Sequence, residues 1–318
     1  MYQNPLSTGN FSDPYLTYDK DTGYYYFMAS CQCNILTMYR SKTVHDIIEK
    51  GDKKDIFIAG YDEVYGPMWA PEMIKIGKHW YIYTSCQKAY HECTFALRKA
   101  LLILKSKTED PFDGFEFGSK PDPEMFAIDP TTTIIDGKQY VCYSRVDAKY
   151  GQVLDIVEMK DPLTFAAPGK MIAYATYPWE KVEGYDEYTL NEGAFFVRRN
   201  KKLYIIYSAN GCWSDDYCLG VLEHLGGDLM DANNWKKHDK PLFIKGNGVY
   251  GVGHATFFYS PDGSELWCAY HCLEGTNPER LERTRWTCIQ KVEFDENDYP
   301  VMGDPIKHNV AYDSPSGE

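Results

Sequence analysis

The chain has 318 residues, 44% of them hydrophobic and 25% charged, and a formal net charge of −13. An acid excess of this size excludes a nucleic-acid binder, which needs lysine and arginine to neutralise phosphates. No apolar run reaches the roughly 18 to 20 residues of a membrane helix. The opening MYQNPLSTGNF lacks the basic and apolar segments of a leader. The sequence as given therefore reads as cytoplasmic, or as secreted if a leader once preceded it.

Taken in chain order, one pattern returns five times. At 11–30, FSDPYLTYDKDTGYYYFMAS gives a short strand, a turn at Gly23, and an aromatic-rich strand ending in a small polar residue. The pattern comes back as PEMIKI then GKHWYIYTSC (77–86), and as TTTIID then GKQYVCYS (137–144). It closes with AFFVRR then NKKLYIIYSANG (200–211), and ATFFYS then DGSELWCAYHC (262–272). Gly23, Gly77, Gly137, Asn200 and Gly263 are the matching turn positions, at steps of 54, 60, 63 and 63 residues. Each unit opens as a β-hairpin, with Gly or Asn supplying positive φ at the turn.

Further strands follow in most units, such as CTFALRKALLILKSK and YCLGVLEH. A unit of about four strands repeated radially is a β-propeller blade. The expected fold is all-β, a five-bladed β-propeller, with residues 1–318 as one domain. GNGVYGVGH opens no helix after a strand, which disfavours a doubly wound nucleotide-binding sheet. The ten cysteines show no paired C-x-x-C spacing of structural zinc and read as buried free thiols.

Seven to ten residues before the five turns stand Asp13, Ala70, Asp129, Glu192 and His254. The innermost strand of every blade lines the central channel, so these heads converge on one mouth of it. Pro14, Pro71 and Pro130 follow three of them; proline suits the first residue of an edge strand. Alone, Asp13 or Asp129 would pass for a turn aspartate bonding its own backbone. Three carboxylates in register point instead to chemistry. Crowded carboxylates cannot all ionise, so one keeps a proton. One acid and one base across a sugar are what acetal hydrolysis needs. An all-oxygen calcium-type site is the rival use of such a cluster.

SDPYLTYDKDTGYYYF, WAPEM, AIDPTTTIIDGKQYVCYS, NEGAFFVRRNKKLYIIYSA and VYGVGHATFFYSPDGSELWCAYHC resemble, in order, the landmarks of glycoside hydrolase family 43. The resemblance implies hydrolysis by single displacement with inversion. It makes Asp13 the general base, Glu192 the general acid and Asp129 the residue that tunes and positions the acid. It also implies that Trp69 and Arg285 contact the sugar. His254 would help hold a hydrated calcium in the channel, though no cofactor is required for the chemistry. EGA at 192–194 and GVGHATF at 251–257 depart from the usual EGP and GPGHNSF, which bears on neighbouring subsites. Within the family, the run from YSANG to VYGVGH looks most like single-domain α-L-arabinofuranosidases acting on plant cell-wall arabinan or arabinoxylan oligosaccharides. β-Xylosidase activity is the near alternative, a retaining fructan hydrolase a further one, and a non-catalytic carbohydrate-binding propeller the alternative from another class. The inserts CQKAYHECTFALRKA and TYPWEKVEGYDEYT are candidates for closing the site into a pocket.

Overall fold

The computed structural model describes residues 1–60, 64–88, 99–121, 126–182, 189–275 and 283–318. Its strands run β1 (Tyr2–Gln3), then β2 (Tyr15–Asp19), β3 (Tyr24–Met28), β4 (Ile35–Ser41) and β5 (Asp52–Ile58) as blade I. Blade II holds β6 (Tyr65–Ile76), β7 (His79–Gln87), β8 (Lys99–Ser106) and β9 (Phe115–Ser119). Blade III holds β10 (Ala127–Ile135), β11 (Lys138–Asp147), β12 (Gly151–Asp161) and β13 (Thr164–Phe165), with β14 (Lys170–Ala173) also paired to β12. Blade IV is β15 (Asn191–Arg199), β16 (Lys202–Ala209), β17 (Cys218–His224) and β18 (Trp235–Lys237). Blade V is β19 (Tyr250–Tyr259), β20 (Leu266–Leu273), β21 (Arg285–Phe294) and β22 (Pro300–Val301), and β23 (Ala311–Tyr312) pairs with β1. The described residues contain no α-helix, only 3-10 turns at Pro111–Asp113, Pro178–Glu180 and Ala232–Asn234.

All five blades are antiparallel meanders, and the first strands β2, β6, β10, β15 and β19 touch one another in a closed cycle. The five expected turn residues all take positive φ, from 51° at Asn200 to 79° at Gly137. Of the expected strand CTFALRKALLILKSK, residues 99–106 form β8, and 93–98 lie outside the described residues.

The core is divided into five hydrophobic clusters, one between each pair of neighbouring blades. Side chains alternate across a strand, so one strand feeds two clusters. On β11, Tyr140 and Cys142 pack toward blade IV while Val141 and Tyr143 pack toward blade II. Both faces of an inner sheet are thereby covered. That is why β20 is apolar apart from His271 and is buried along its whole length. The outermost β5 instead exposes Asp52, Lys53, Lys54 and Asp55, charges that discourage edge-to-edge pairing. Blade V meets blade I through Tyr25, Phe27, Phe258 and Trp267, and Leu6 N–H donates to Thr287 O at 2.8 Å. The first strands are thus held edge-on to one axis, which is what assembles the site.

Candidate active site

The first strand of every blade carries a left-handed residue within it or, in blade I, just before it: Asp13 (φ 54°), Ala70 (46°), Asp129 (55°), Gly193 (53°) and His254 (46°). For a residue with a Cβ this conformation costs roughly 1–2 kcal/mol, and such strain gathers where function needs it. In blades II to V these residues sit in register breaks of the first hairpin, and a bulge re-aims the side chains around it. Trp69, Ile128, Glu192 and Gly253 precede the break, opposite Ser85, Ser144, Ser208 and His271.

This register corrects one expectation. Gly193, not Glu192, is the equivalent of Asp13, Ala70, Asp129 and His254. Glu192 stands one residue earlier, in the position Trp69 holds in blade II. Counting back from the hairpin turn misplaced it because the distance from head to turn varies between blades, from seven to ten residues, and so does not fix the register to one residue.

Residues at and opposite the bulges fasten blade I to II, III to IV, IV to V and V to I. Ser30 Oγ donates to Asp13 Oδ2 at 2.5 Å and accepts from Ala70 N–H at 2.8 Å. Ser208 Oγ accepts from His254 N–H at 2.8 Å, and Asp129 Oδ2 accepts from Gly193 N–H at 3.3 Å. The ring closes where Asp13 N–H meets His271 Nδ1 at 3.2 Å. A Cβ on Gly193 would lie 3.0 Å from His254 Nδ1 and 3.2 Å from Ser208 Oγ, so glycine lets these two groups approach this head closely.

Asp13, Trp69, Asp129, Glu192, His254 and Arg285 all line one cavity of about 140 Å³ at the channel mouth, with Gln32, Ile128 and Cys212. Every candidate residue read from the sequence is therefore brought together. The three carboxylates are at most 9% exposed, and their surroundings differ. Asp13 Oδ1 accepts from Arg285 Nη1 at 3.0 Å and lies 3.4 Å from His254 Nδ1. Burial pushes Asp13 up, but Arg285, His254 and His271 together hold it well below the usual carboxylate range. Burial, then Glu192 and Asp13, push Asp129 well above it. Burial also raises Glu192, against hydrogen bonds from Tyr217 Oη (2.8 Å) and Gln152 Nε2 (2.7 Å) to its two oxygens. One carboxyl held down and two pushed up in one cavity is an arrangement in which one group can take a proton and another give one. Burial lowers His271 to about 4, which keeps that ring neutral near pH 7.

Trp69 is half-buried at the cavity wall, and the Lys99 ammonium sits 3.4 Å from its ring centroid while donating to Pro67 O at 3.0 Å. Burial draws Lys99 down to about 8. Sequence reasoning missed Lys99, Gln152, Tyr217, Ser30, Ser208 and His271. Only the last three carried a signal, as polar residues ending the repeat's second strand. Of the two inserts considered for closing the pocket, residues 89–98 and 183–188 lie outside the described residues.

Calcium takes about six to eight oxygen ligands. The oxygens facing the His254 ring belong to Asp13 and Asp129, both at Nδ1 and both engaged by other donors. Among the described residues no three carboxylate, histidine or cysteine ligand atoms converge there within 4.8 Å. A hydrated calcium, of the kind the resemblance implies at His254, would take most of its oxygen ligands from water, with Asp13 and Asp129 beside the ring.

A five-bladed propeller whose central cavity gathers three carboxylates with opposed proton affinities has the arrangement a glycoside hydrolase needs. The family model of glycosyl hydrolases family 43 matches residues 2–300, and the chain belongs to that family. It is 30% identical to an extracellular exo-α-(1→5)-L-arabinofuranosidase of Streptomyces chartreusis, over 86% of this chain and 83% of that protein. An enzyme of the same name from Streptomyces avermitilis is 28% identical, over 98% of this chain and 65% of that one. Among solved structures, an α-L-arabinofuranosidase from Lactobacillus brevis superposes with a TM-score of 0.87 at 26% identity, covering 98% of both chains.

Proposed function

We propose that the protein is an exo-acting α-L-arabinofuranosidase that releases terminal arabinose from arabinan or arabinoxylan oligosaccharides by single displacement. Asp13, held ionised, takes a proton from water as the water oxygen bonds to the anomeric carbon. Glu192, held protonated, gives its proton to the departing glycosidic oxygen as the carbon–oxygen bond breaks. Asp129 shares the buried environment of Glu192, holds the Gly193 amide, and helps keep the acid protonated. Trp69 and Arg285 border the sugar. The configuration at the anomeric carbon inverts, and no cofactor enters.

One observation carries this reading: Asp13 and Glu192 share a single small cavity, yet their surroundings displace their proton affinities in opposite directions. A volume of about 140 Å³ suits one sugar residue and so favours exo action. Arabinose as the sugar rests on the names of the Streptomyces and Lactobacillus relatives. A cytoplasmic setting rests on the nine described cysteines, all unpaired, against the extracellular naming of the Streptomyces relatives; assaying culture medium against cell lysate decides it.

The test compares nitrophenyl arabinofuranoside with nitrophenyl xyloside, then arabino- with xylo-oligosaccharides, following the first product anomer by NMR. Preferred release of inverted arabinose is expected. Preference for the xyloside, retention of configuration, or sugar binding without turnover would each overturn the reading.

A further inference from the structure

Away from the channel, blade V and the C-terminal tail bring together three side chains that the hydrolysis does not use. Cys272 on β20 and Cys288 on β21 are fully buried, and half-buried His308 lies in the turn before β23. Cys272 pairs with Trp286, and Cys288 with Tyr270. The two cysteines are thus diagonal neighbours on one face of the sheet. His308 comes to them from outside the blade, with its ring 5.9 Å from that of Trp286 and the next residue fixed by Asn309 N–H donating to Asn4 O at 2.8 Å.

The three ligand-type atoms form a nearly equilateral triangle. The sulfurs are 3.5 Å apart, and His308 Nε2 is 3.7 Å from Cys272 Sγ and 3.6 Å from Cys288 Sγ. Tetrahedral zinc binds sulfur at about 2.3 Å and nitrogen at about 2.0–2.1 Å, which sets sulfur–sulfur edges near about 3.8 Å and sulfur–nitrogen edges near about 3.5 Å. All three observed edges fall within roughly 0.3 Å of one face of that tetrahedron. No carboxylate belongs to the group, so hard cations are disfavoured, and two thiols with an imidazole suit zinc.

We propose that Cys272, Cys288 and His308 form a zinc site, with water in the fourth position on the half-exposed His308 side. Binding displaces the two thiol protons to solvent and leaves the charge of the metal balanced by two thiolates. The bound ion ties the C-terminal tail to blade V, beside the β1–β23 pair that joins the two ends of the chain. The site lies apart from the hydrolytic cavity, so it holds or fails independently of the proposed activity.

The experiment uses the full chain expressed in zinc-supplemented medium and purified without chelator, followed by elemental analysis and cobalt(II) titration of the stripped protein. We expect about one zinc per chain, and a cobalt form with thiolate-to-metal charge transfer and the strong visible bands of a tetrahedral site. His308→Ala changes a half-buried tail residue and should leave circular dichroism unchanged. It should weaken zinc binding at least roughly 100-fold, since losing even an outer-shell partner costs 10–100-fold. Cys288→Ser should abolish the charge-transfer band. Zinc content equal in the parent and His308→Ala proteins, or an octahedral cobalt spectrum, would overturn the proposal. So would a Cys272–Cys288 disulfide found by mass spectrometry in freshly isolated protein, because it would consume both thiols.

Discussion

Arg285 donates from Nη1 to Asp13 Oδ1 across 3.0 Å, so the third strand of blade V reaches the head of blade I. With His254 and His271, it holds Asp13 ionised against the pull of burial. Taking away that positive charge lets the Asp13 pKa rise. For Arg285→Gln, the acidic limb of the kcat/KM–pH profile should therefore move to higher pH, by about 1–3 units. Arg285→Lys should move it less, since the charge remains but the planar fork is lost. An acidic limb that stays in place in Arg285→Gln would show that Asp13 is not the group titrating there.

Tyr217 acts on the opposite limb. Its hydroxyl donates to Glu192 Oε1 at 2.8 Å and so favours the ionised acid, opposing the burial that raises it. Tyr217→Phe keeps the ring stacked 5.5 Å from His271 and removes the hydroxyl that donates to Glu192 and also meets Ser208. The Glu192 pKa should climb further, carrying the basic limb to higher pH by about one unit, the worth of one hydrogen bond to a charged group. A shift to lower pH would contradict Glu192 as the group that must stay protonated.

The acid assignment has a second, independent check. Glu192→Ala removes the proposed proton donor but leaves Asp13 and its partners in place. Natural arabino-oligosaccharides have poor leaving groups and should lose about 10²–10⁴-fold in kcat, the usual worth of general acid catalysis. Nitrophenyl glycosides leave without full protonation and should lose far less. Equal losses on both substrates would assign Glu192 to another role.

The blades were legible because two local rules repeat: period-two apolar strands and a positive-φ turn residue. Those rules located Gly23, Gly77, Gly137, Asn200 and Gly263, and through them Asp13, Asp129 and His254. The one-residue offset of Glu192 was not legible, since the span from head to turn differs from blade to blade and the count alone does not fix the register. Ser30, Ser208 and His271 were visible as polar ends of aromatic strands. Their partners belong to the next blade, and no pattern within one unit carries that. Gln152 and Tyr217 reach Glu192 from outside its own hairpin, with no motif at all. Cys272, Cys288 and His308 escaped for the same reason. Cross-strand diagonals do not produce the short C-x-x-C spacing by which structural zinc is ordinarily found.

Behind the acid lies a buried ion pair whose loss should be costly. Glu180 has a side chain with no exposure. Its Oε1 accepts from Lys237 Nζ (2.6 Å), Tyr207 Oη (2.9 Å) and Asn191 Nδ2 (2.9 Å), and its Oε2 from the Thr176 and Tyr177 amides. Asn191 immediately precedes Glu192, so the network helps fix where the acid's strand begins. Burial pushes Glu180 up, but Lys237 and the two amides bring it below its ordinary value. Burial also draws Lys237 down despite Glu180, so this cation depends on its partner. Glu180→Ala would strand Lys237 in the core and should cost about 3–5 kcal/mol, read as a lowered urea midpoint. A depressed carboxylate contributes stability that is complete above its unfolded pKa and is lost as pH falls through its folded one. The gap between parent and variant should accordingly narrow on acidification. Glu180→Leu combined with Lys237→Met removes both charges and should recover much of the loss, because an apolar pair needs no compensation. A single-variant cost under about 1 kcal/mol, typical of exposed ion pairs, would mean that water already reaches Lys237 and that the pair does not brace the acid's strand.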